Sequence, residues 1–142
     1  MVKTRPAQTS DVSGLFVLVA QFPTPTPPDE AAFSACFHSK LSDPASYIGL
    51  AENDRLLIGY ISGYCHLAFY AGGKTAWVDE VLVASLVRGQ GIGRLLVRAF
   101  ERWAREQGCV LVSLATAGSG GFYERLGYTS KAGYYKKYLL RP

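Results

Sequence analysis

The apolar positions of this chain change period along its length. Val12, Leu15, Phe16 and Val19 recur at helical spacing, as do Ala32, Phe33, Cys36, Phe37 and Leu41, and later Ile92, Leu95, Leu96, Ala99 and Trp103. Each set predicts a helix that buries one stripe. Elsewhere, runs dense in β-branched and aromatic residues predict strands at Val2 to Pro6, Tyr47 to Glu52, Leu56 to Tyr64, Trp77 to Val83 and Cys109 to Leu114. A short helix from Gly120 to Leu126 and a last strand around Tyr134 to Leu140 complete the pattern.

The residues between these runs act as punctuation. Ser10-Asp11 is a helix N-cap signal. The four prolines of Phe22 to Pro28 remove donors and fix φ, which predicts a stiff extended loop. Asp29-Glu30 suits the first turn of the second helix, and Ser42-Asp43-Pro44 stops it. Asn53-Asp54 carries turn chemistry and predicts a β-hairpin, and Ala71-Gly72-Gly73 predicts another turn. Tyr47 to Val83 is then an antiparallel meander. The helix from Gly91 to Gln107 ends at Gly108 in a left-handed cap, and the strand after it implies a parallel pair with a right-handed crossover.

A chain of 142 residues with 49% hydrophobic content buries one good core, which predicts a single domain over 1–142. No apolar run reaches the eighteen or so residues of a membrane span, and the start MVKTRPAQTSD lacks the apolar region of a secretory signal. The expectation is a cytoplasmic protein with no membrane partner. Cys36, Cys65 and Cys109 are odd in number and widely spaced, which argues against a disulfide framework and against a metal site and predicts reduced thiols in or near the core. The net charge of +4 is dispersed, its largest cluster being Lys136-Lys137 with Lys131 nearby, so no nucleic-acid partner is expected.

Candidate chemistry is concentrated in WVDEVLVASLVRGQGIGRLL, Trp77 to Leu96, where a strand, a glycine-rich loop and a helix start follow one another. Glycines let successive N–H groups turn inward at the positive end of the following helix, a geometry that suits a phosphate or pyrophosphate, and Arg88 and Arg94 add charge. The G-x-x-x-x-G-K-[ST] loop is absent, and neither Gly89 nor Gly91 begins a G-x-G-x-x-G fingerprint. The spacing present is R-x-x-G-x-G, Arg88 to Gly93.

That motif resembles the acyl-CoA-binding loop of the GCN5-related N-acetyltransferase (GNAT) family. Gly121-Phe122-Tyr123-Glu124-Arg125-Leu126-Gly127-Tyr128, about thirty residues later, is similar to the family's F-Y-E-x-L-G-[FY] segment. The resemblance implies an α+β fold with a central mixed, mostly antiparallel sheet of six to seven strands, splayed after the fourth strand and flanked by about four helices. It implies acetyl-CoA as acyl donor, with the pantetheine arm pairing like an added strand at Val81, Leu82 and Val83. Arg88, Gly89, Gln90, Gly91, Ile92, Gly93 and Arg94 would hold the phosphates, with Thr116, Ser119 and Phe122 completing the cofactor site. Thr116 and Ser119 stand where family members often carry Asn and Ala, a departure that touches the detail of the site.

Direct acyl transfer needs a neutral amine, so a base or a water relay must take a proton. Asp79 and Glu80 are the candidates. In a regular strand they point to opposite faces, Glu80 sharing its parity with Val78 and Leu82 and Asp79 with Trp77 and Val81, so at most one lines a given cleft. Glu80 is favoured as base, directly or through water, with Asp79 second, and each can instead be an acid that caps a loop or pairs with an arginine. Tyr123 matches the family tyrosine near the departing sulfur. A backbone N–H at Leu82 or Val83 would meet the oxyanion. Phe22, Tyr64, His66 and Tyr70 are candidates for the acceptor wall.

The function implied is an N-acetyltransferase acting by direct attack of a primary amine of a small molecule or a protein. A non-catalytic acyl-CoA sensor and a nucleic-acid-binding protein are the alternatives. The family often dimerises, which makes a homodimer compatible with the chain.

Overall fold

The computed structural model describes residues 1–140. Five strands, β1 (Val2–Pro6), β2 (Ser46–Asn53), β3 (Leu56–Ala68), β4 (Gly73–Val83) and β5 (Leu111–Leu114), form one sheet in sequence order. The first three pairings are antiparallel and β4 with β5 is parallel. Four α-helices accompany the sheet: α1 (Val12–Val19), α2 (Glu30–Ser42), α3 (Ile92–Glu106) and α4 (Gly120–Arg125). Helices and strands in this order make an α+β fold.

Two apolar clusters lie on opposite faces of the sheet. Leu15 and Leu18 of α1 and Phe33 and Phe37 of α2 pack on Ile48, Leu50, Tyr60 and Leu82. On the other face Ile92, Leu96, Val97, Phe100 and Ala104 of α3 pack on Ala51, Ile61, Ala76 and Val78. The helical stripes seen in the sequence supply most of the buried positions, although Ala32 and Leu95 are exposed, as is Cys36, while Cys109 is half-buried and Cys65 is buried. Cys36 sits on α2 away from the Phe33 and Phe37 stripe, so the expectation of three thiols in or near the core fails at that position.

Several expected signals are displaced. Asp11 does not cap α1 with its side chain. Its carboxylate accepts from the Gln8 N–H at 2.7 Å and from the Arg5 guanidinium at 2.8 and 2.9 Å, while Arg5 Nε lies 3.2 Å from Glu52. Paired this way, Asp11 is held below the usual carboxylate range, by the Arg5 hydrogen bond above all. The hairpin turn between β2 and β3 is Asp54-Arg55, one residue beyond the expected pair, with φ of 49° and 72°. Asn53 remains in the ladder opposite Leu56. Asp29 caps α2 by accepting from the Ala32 N–H at 2.7 Å.

The sheet has five strands among the described residues, not six to seven. Residues 134–140 form no strand, and every residue from 129 to 140 is exposed. A strand exists only with a ladder partner, and this segment leaves α4 without meeting one in its own chain.

Candidate functional site

The sheet opens at β4. Its parallel pairing with β5 runs from Thr75 opposite Leu111 to Val78 opposite Leu114 and goes no further. Residues 80–83 remain paired with β3 on the other side. Beyond Val78 the β5 side of β4 has no ladder partner, and there Val81 and Val83 turn their backbone groups outward while those of Leu82 face Tyr60 of β3. Of these groups the Val83 carbonyl already accepts from Arg88 Nε at 3.1 Å. Arg88, expected to add charge for a phosphate, therefore also fastens the loop to the end of β4 through its Nε.

The loop after β4 is shaped by two left-handed glycines, Gly89 with φ 79° and Gly91 with φ 82°. No side chain caps α3 at Gly91, so the N–H groups of its first turn point out of the helix without an intrahelical acceptor. Gly93 serves a different purpose. A Cβ there would lie 3.3 Å from the Phe122 ring and 3.8 Å from Val83, so its small size seats Phe122 against α3. Ile92 is buried in the core behind the loop, whereas Gln90 and Arg94 are exposed.

A small pocket of about 200 Å³ beside this loop is lined by Arg94, Arg98, Arg125, Phe122 and Leu126. Arg98 and Arg125 were not singled out in the sequence. Their signal was present: Arg94 and Arg98 are four apart on α3, hence on one face, and Arg125 sits inside the F-Y-E segment. Three guanidiniums around one recess suit a phosphate.

The acidic pair departs from the expected parity. The β3–β4 register slips between Ser62 and Gly63, which pair with Glu80 and Val78, leaving Asp79 as the extra residue of a β-bulge. Val78 and Val81 consequently both pack toward α3, and Asp79 and Glu80 between them both turn to the α1/α2 face. Glu80 Oε1 accepts from the Tyr60 hydroxyl at 2.7 Å. Tyr60 is buried and its phenol is pushed far up, by burial first and the Glu80 charge second, so it stays a donor. Asp79 Oδ2 lies 3.7 Å from Lys40 Nζ of α2. Burial pushes the Asp79 carboxyl up, while Lys40 and then Trp77 oppose it.

Neither Tyr60 nor Lys40 was among the sequence candidates. Lys40 was within reach of the pattern, since Phe33, Phe37 and Lys40 lie three and four residues apart on the stripe that faces the sheet. Tyr60 was hidden by the bulge, which shifts its pairing with the strand that holds Glu80.

Tyr64 stands opposite Trp77 and His66 opposite Thr75 in the ladder, with the Tyr64 and His66 rings 5.5 Å apart. Tyr64 and Trp77 thus occupy the same face as the acids. Phe22 packs into the α1/α2 cluster. Tyr70 is separate: it lies in the turn before β4, about 20 Å along the strand from Asp79, and 77% exposed.

Tyr123 belongs to the opposite face. Its ring meets Phe122 edge-on at 4.9 Å and Tyr128 at 5.9 Å, and burial alone pushes its phenol up, so it is a proton donor at neutral pH. Tyr128 in turn donates to buried Glu101 at 2.7 Å, which is also paired with Arg98 at 3.1 Å. Tyr123 and Thr116 line one groove beyond β5. Ser119 is the N-cap of α4, yet its side chain makes no cap hydrogen bond.

Comparison with known proteins adds to this geometry. The sequence profile of the acetyltransferase (GNAT) family matches residues 14–128. Glucosamine 6-phosphate N-acetyltransferase 1 of Oryza sativa subsp. japonica is 28% identical over 135 residues, covering 91% of this chain and 82% of that one. Aminoalkylphosphonate N-acetyltransferase of Salmonella typhimurium is 29% identical over 128 residues, covering 87% and 82%. The crystal structure of glucosamine-6-phosphate N-acetyltransferase from Arabidopsis thaliana superimposes with a TM-score of 0.86 at 24% identity, covering 97% of this chain and 98% of that one.

Proposed function

This chain belongs to the acetyltransferase (GNAT) family, and from that premise we propose that it transfers an acetyl group from acetyl-CoA to the primary amine of a small anionic molecule. The observation that carries the reading is the bulge at Asp79, which turns two carboxylates to one face of β4 at the point where the sheet opens. The outward backbone groups of Val81 and the N–H of Val83 suit the amides of a pantetheine arm. The first turn of α3 suits the pyrophosphate, and Arg94, Arg98 and Arg125 offer charge to a further phosphate.

Acetyl-CoA supplies an acyl group on a thiolate leaving group. The chain's residues manage the protons. Glu80, held by Tyr60, takes the proton that the amine must lose before or as it attacks the carbonyl carbon, directly or through one water. A C–N bond forms, the outward backbone N–H of Val83 meets the oxyanion, and the C–S bond then breaks. Tyr123, protonated at neutral pH, donates to the departing sulfur from the other face of the sheet through the opening. Asp79 keeps Lys40 beside the acceptor, and Tyr64 and Trp77 provide flat apolar surface. The two similar enzymes are named for amines that carry a phosphate or a phosphonate, and Lys40 is a cation suited to such a group.

The test is steady-state acetylation of glucosamine 6-phosphate, an aminoalkylphosphonate, a polyamine and a peptide amine, with product detected by mass. Glu80→Gln is expected to lower kcat about 100-fold or more, and Tyr123→Phe about 10-fold or more, each with acetyl-CoA binding retained. Full turnover by Glu80→Gln would remove Glu80 as the base. Preference for the uncharged peptide amine would overturn the anionic acceptor.

A further inference from the structure

We propose that Glu101 is a positioning residue for acyl transfer: through the Tyr128 hydroxyl it fixes α4, and with it Tyr123, at the opening of the sheet. The role rests on the reading of Tyr123 as proton donor to the departing sulfur. Glu101 is only 9% exposed, at the edge of the buried stripe of α3 and one turn from Val97 and Ala104. A carboxylate buried among such neighbours is costly unless donors meet its oxygens. Here both are met, Oε2 by the Tyr128 hydroxyl at 2.7 Å and Oε1 by Arg98 at 3.1 Å, which also supplies a countercharge. No step of the transfer uses this carboxylate directly, since Tyr128 and Arg98 occupy its oxygens.

α4 depends on such a fastening. It spans six residues, none of them buried, and the side chain of its N-cap makes no cap hydrogen bond. A helix this short is not stable by itself. It is entered through the glycine-rich run 117–121, with Gly118 at φ 96°, and left through Gly127 at φ 97°. Near its start Phe122 rests against Gly93 of α3, an apolar contact that sets distance but little direction. Beyond its end Tyr128 is bonded to Glu101, and among the described residues this is the only side-chain hydrogen bond made by residues 117–128.

Tyr123 lies between these two fastenings and is joined to the second. Its carbonyl accepts from the Tyr128 N–H at 3.0 Å, and its ring meets the Tyr128 ring edge-on at 5.9 Å. A shift of Tyr128 is therefore passed to Tyr123 through backbone and ring together. Burial first and the Glu101 hydrogen bond second push the Tyr128 phenol up, so it remains a donor at neutral pH and the fastening holds there. A proton donor must come within hydrogen-bond reach of the sulfur, and a misplacement of about 1 Å costs up to about 100-fold in rate. Glu101 thus acts on the reaction through Tyr128 and Tyr123 without touching the reacting atoms.

The test is a double-mutant cycle on the full chain, with folding of each variant checked by circular dichroism. Tyr128→Phe keeps the ring and removes the hydroxyl, and is expected to lower kcat about 5-fold or more with KM for acetyl-CoA changed less than about 2-fold. Glu101→Leu should do the same, whereas Glu101→Gln keeps an oxygen for Tyr128 and should restore most of the lost kcat. In a Tyr123→Phe background, Tyr128→Phe should cost nothing further, because its effect passes through the Tyr123 hydroxyl. Independently of turnover, the amides of Leu126, Gly127 and Tyr128, which bond back onto α4, should exchange about 10-fold or more faster in Tyr128→Phe. Unchanged kcat or unchanged amides in Tyr128→Phe, no recovery in Glu101→Gln, or an equal loss in both backgrounds would overturn the positioning role. If Tyr123→Phe alone leaves kcat unchanged, the proton-donor reading itself fails and takes the role with it; a slow Tyr123→Phe beside a fast Tyr128→Phe removes the role only.

Discussion

Asp79 and Glu80 are neighbours with different surroundings. Glu80 is tied to a buried phenol, whereas Asp79 is balanced between burial, which raises its carboxyl, and the Lys40 charge, which lowers it. Replacing Lys40 by Met removes the second influence and leaves the first. The Asp79 midpoint should then rise further, as read by carbon NMR of the side-chain carboxyl across a pH series. The sign of the stability effect follows. A carboxyl raised on folding binds its proton more tightly in the folded state, so its burial opposes folding at neutral pH and that opposition disappears as pH falls through the raised value. Lys40→Met should therefore cost more stability at neutral pH than in acid. An unmoved midpoint would mean that the 3.7 Å approach of Lys40 carries no interaction in solution.

The bulge and the hairpin are where individual elements depend on single residues. Gly63 faces β4 at the slip of register, and a Cβ there would lie 2.3 Å from the Trp77 carbonyl oxygen and 2.5 Å from the Phe100 ring. Gly63→Ala must push β3 away from β4 or from α3, and is expected to cost about 3 kcal/mol in urea unfolding. It should also lower turnover in whatever fraction stays folded, because the acidic pair depends on the same bulge. Arg55 is the opposite case, an L-residue held at φ 72° in an exposed turn. Arg55→Gly removes that strain and should raise stability by about 1 kcal/mol by the same measurement. Helical stripes, the hairpin and the left-handed glycines of the loop could be read because each is a local signal in type and spacing. The bulge was missed although Asp79 and Glu80 stand side by side between apolar residues, because that break in alternation is equally compatible with a regular strand until the register with β3 is known. Residues 134–140 have strand composition, but composition does not supply the ladder partner. Lys40 and Tyr60 were overlooked because their importance lies in what they face.

At the scale of the whole molecule, the parallel pairing of β4 with β5 stops at Val78 and Leu114, and that early stop organises the site. Past it, the acids lie on the α1/α2 face, Tyr123 lies on the α3 face, and the glycine loop with its arginines closes one end. A donor threaded through the opening would meet all of them, which is why the account stands or falls with occupancy of that cleft by acetyl-CoA. The most direct measurement is calorimetric titration of the purified chain with acetyl-CoA, run in parallel on Gly91→Trp, whose side chain would project from the open N-terminus of α3, where a Cβ meets nothing within 4 Å. Binding in the micromolar range is expected for the unmodified chain, with its loss in a variant that remains folded. Absence of binding to the unmodified chain, or equal binding by the folded variant, would contradict it.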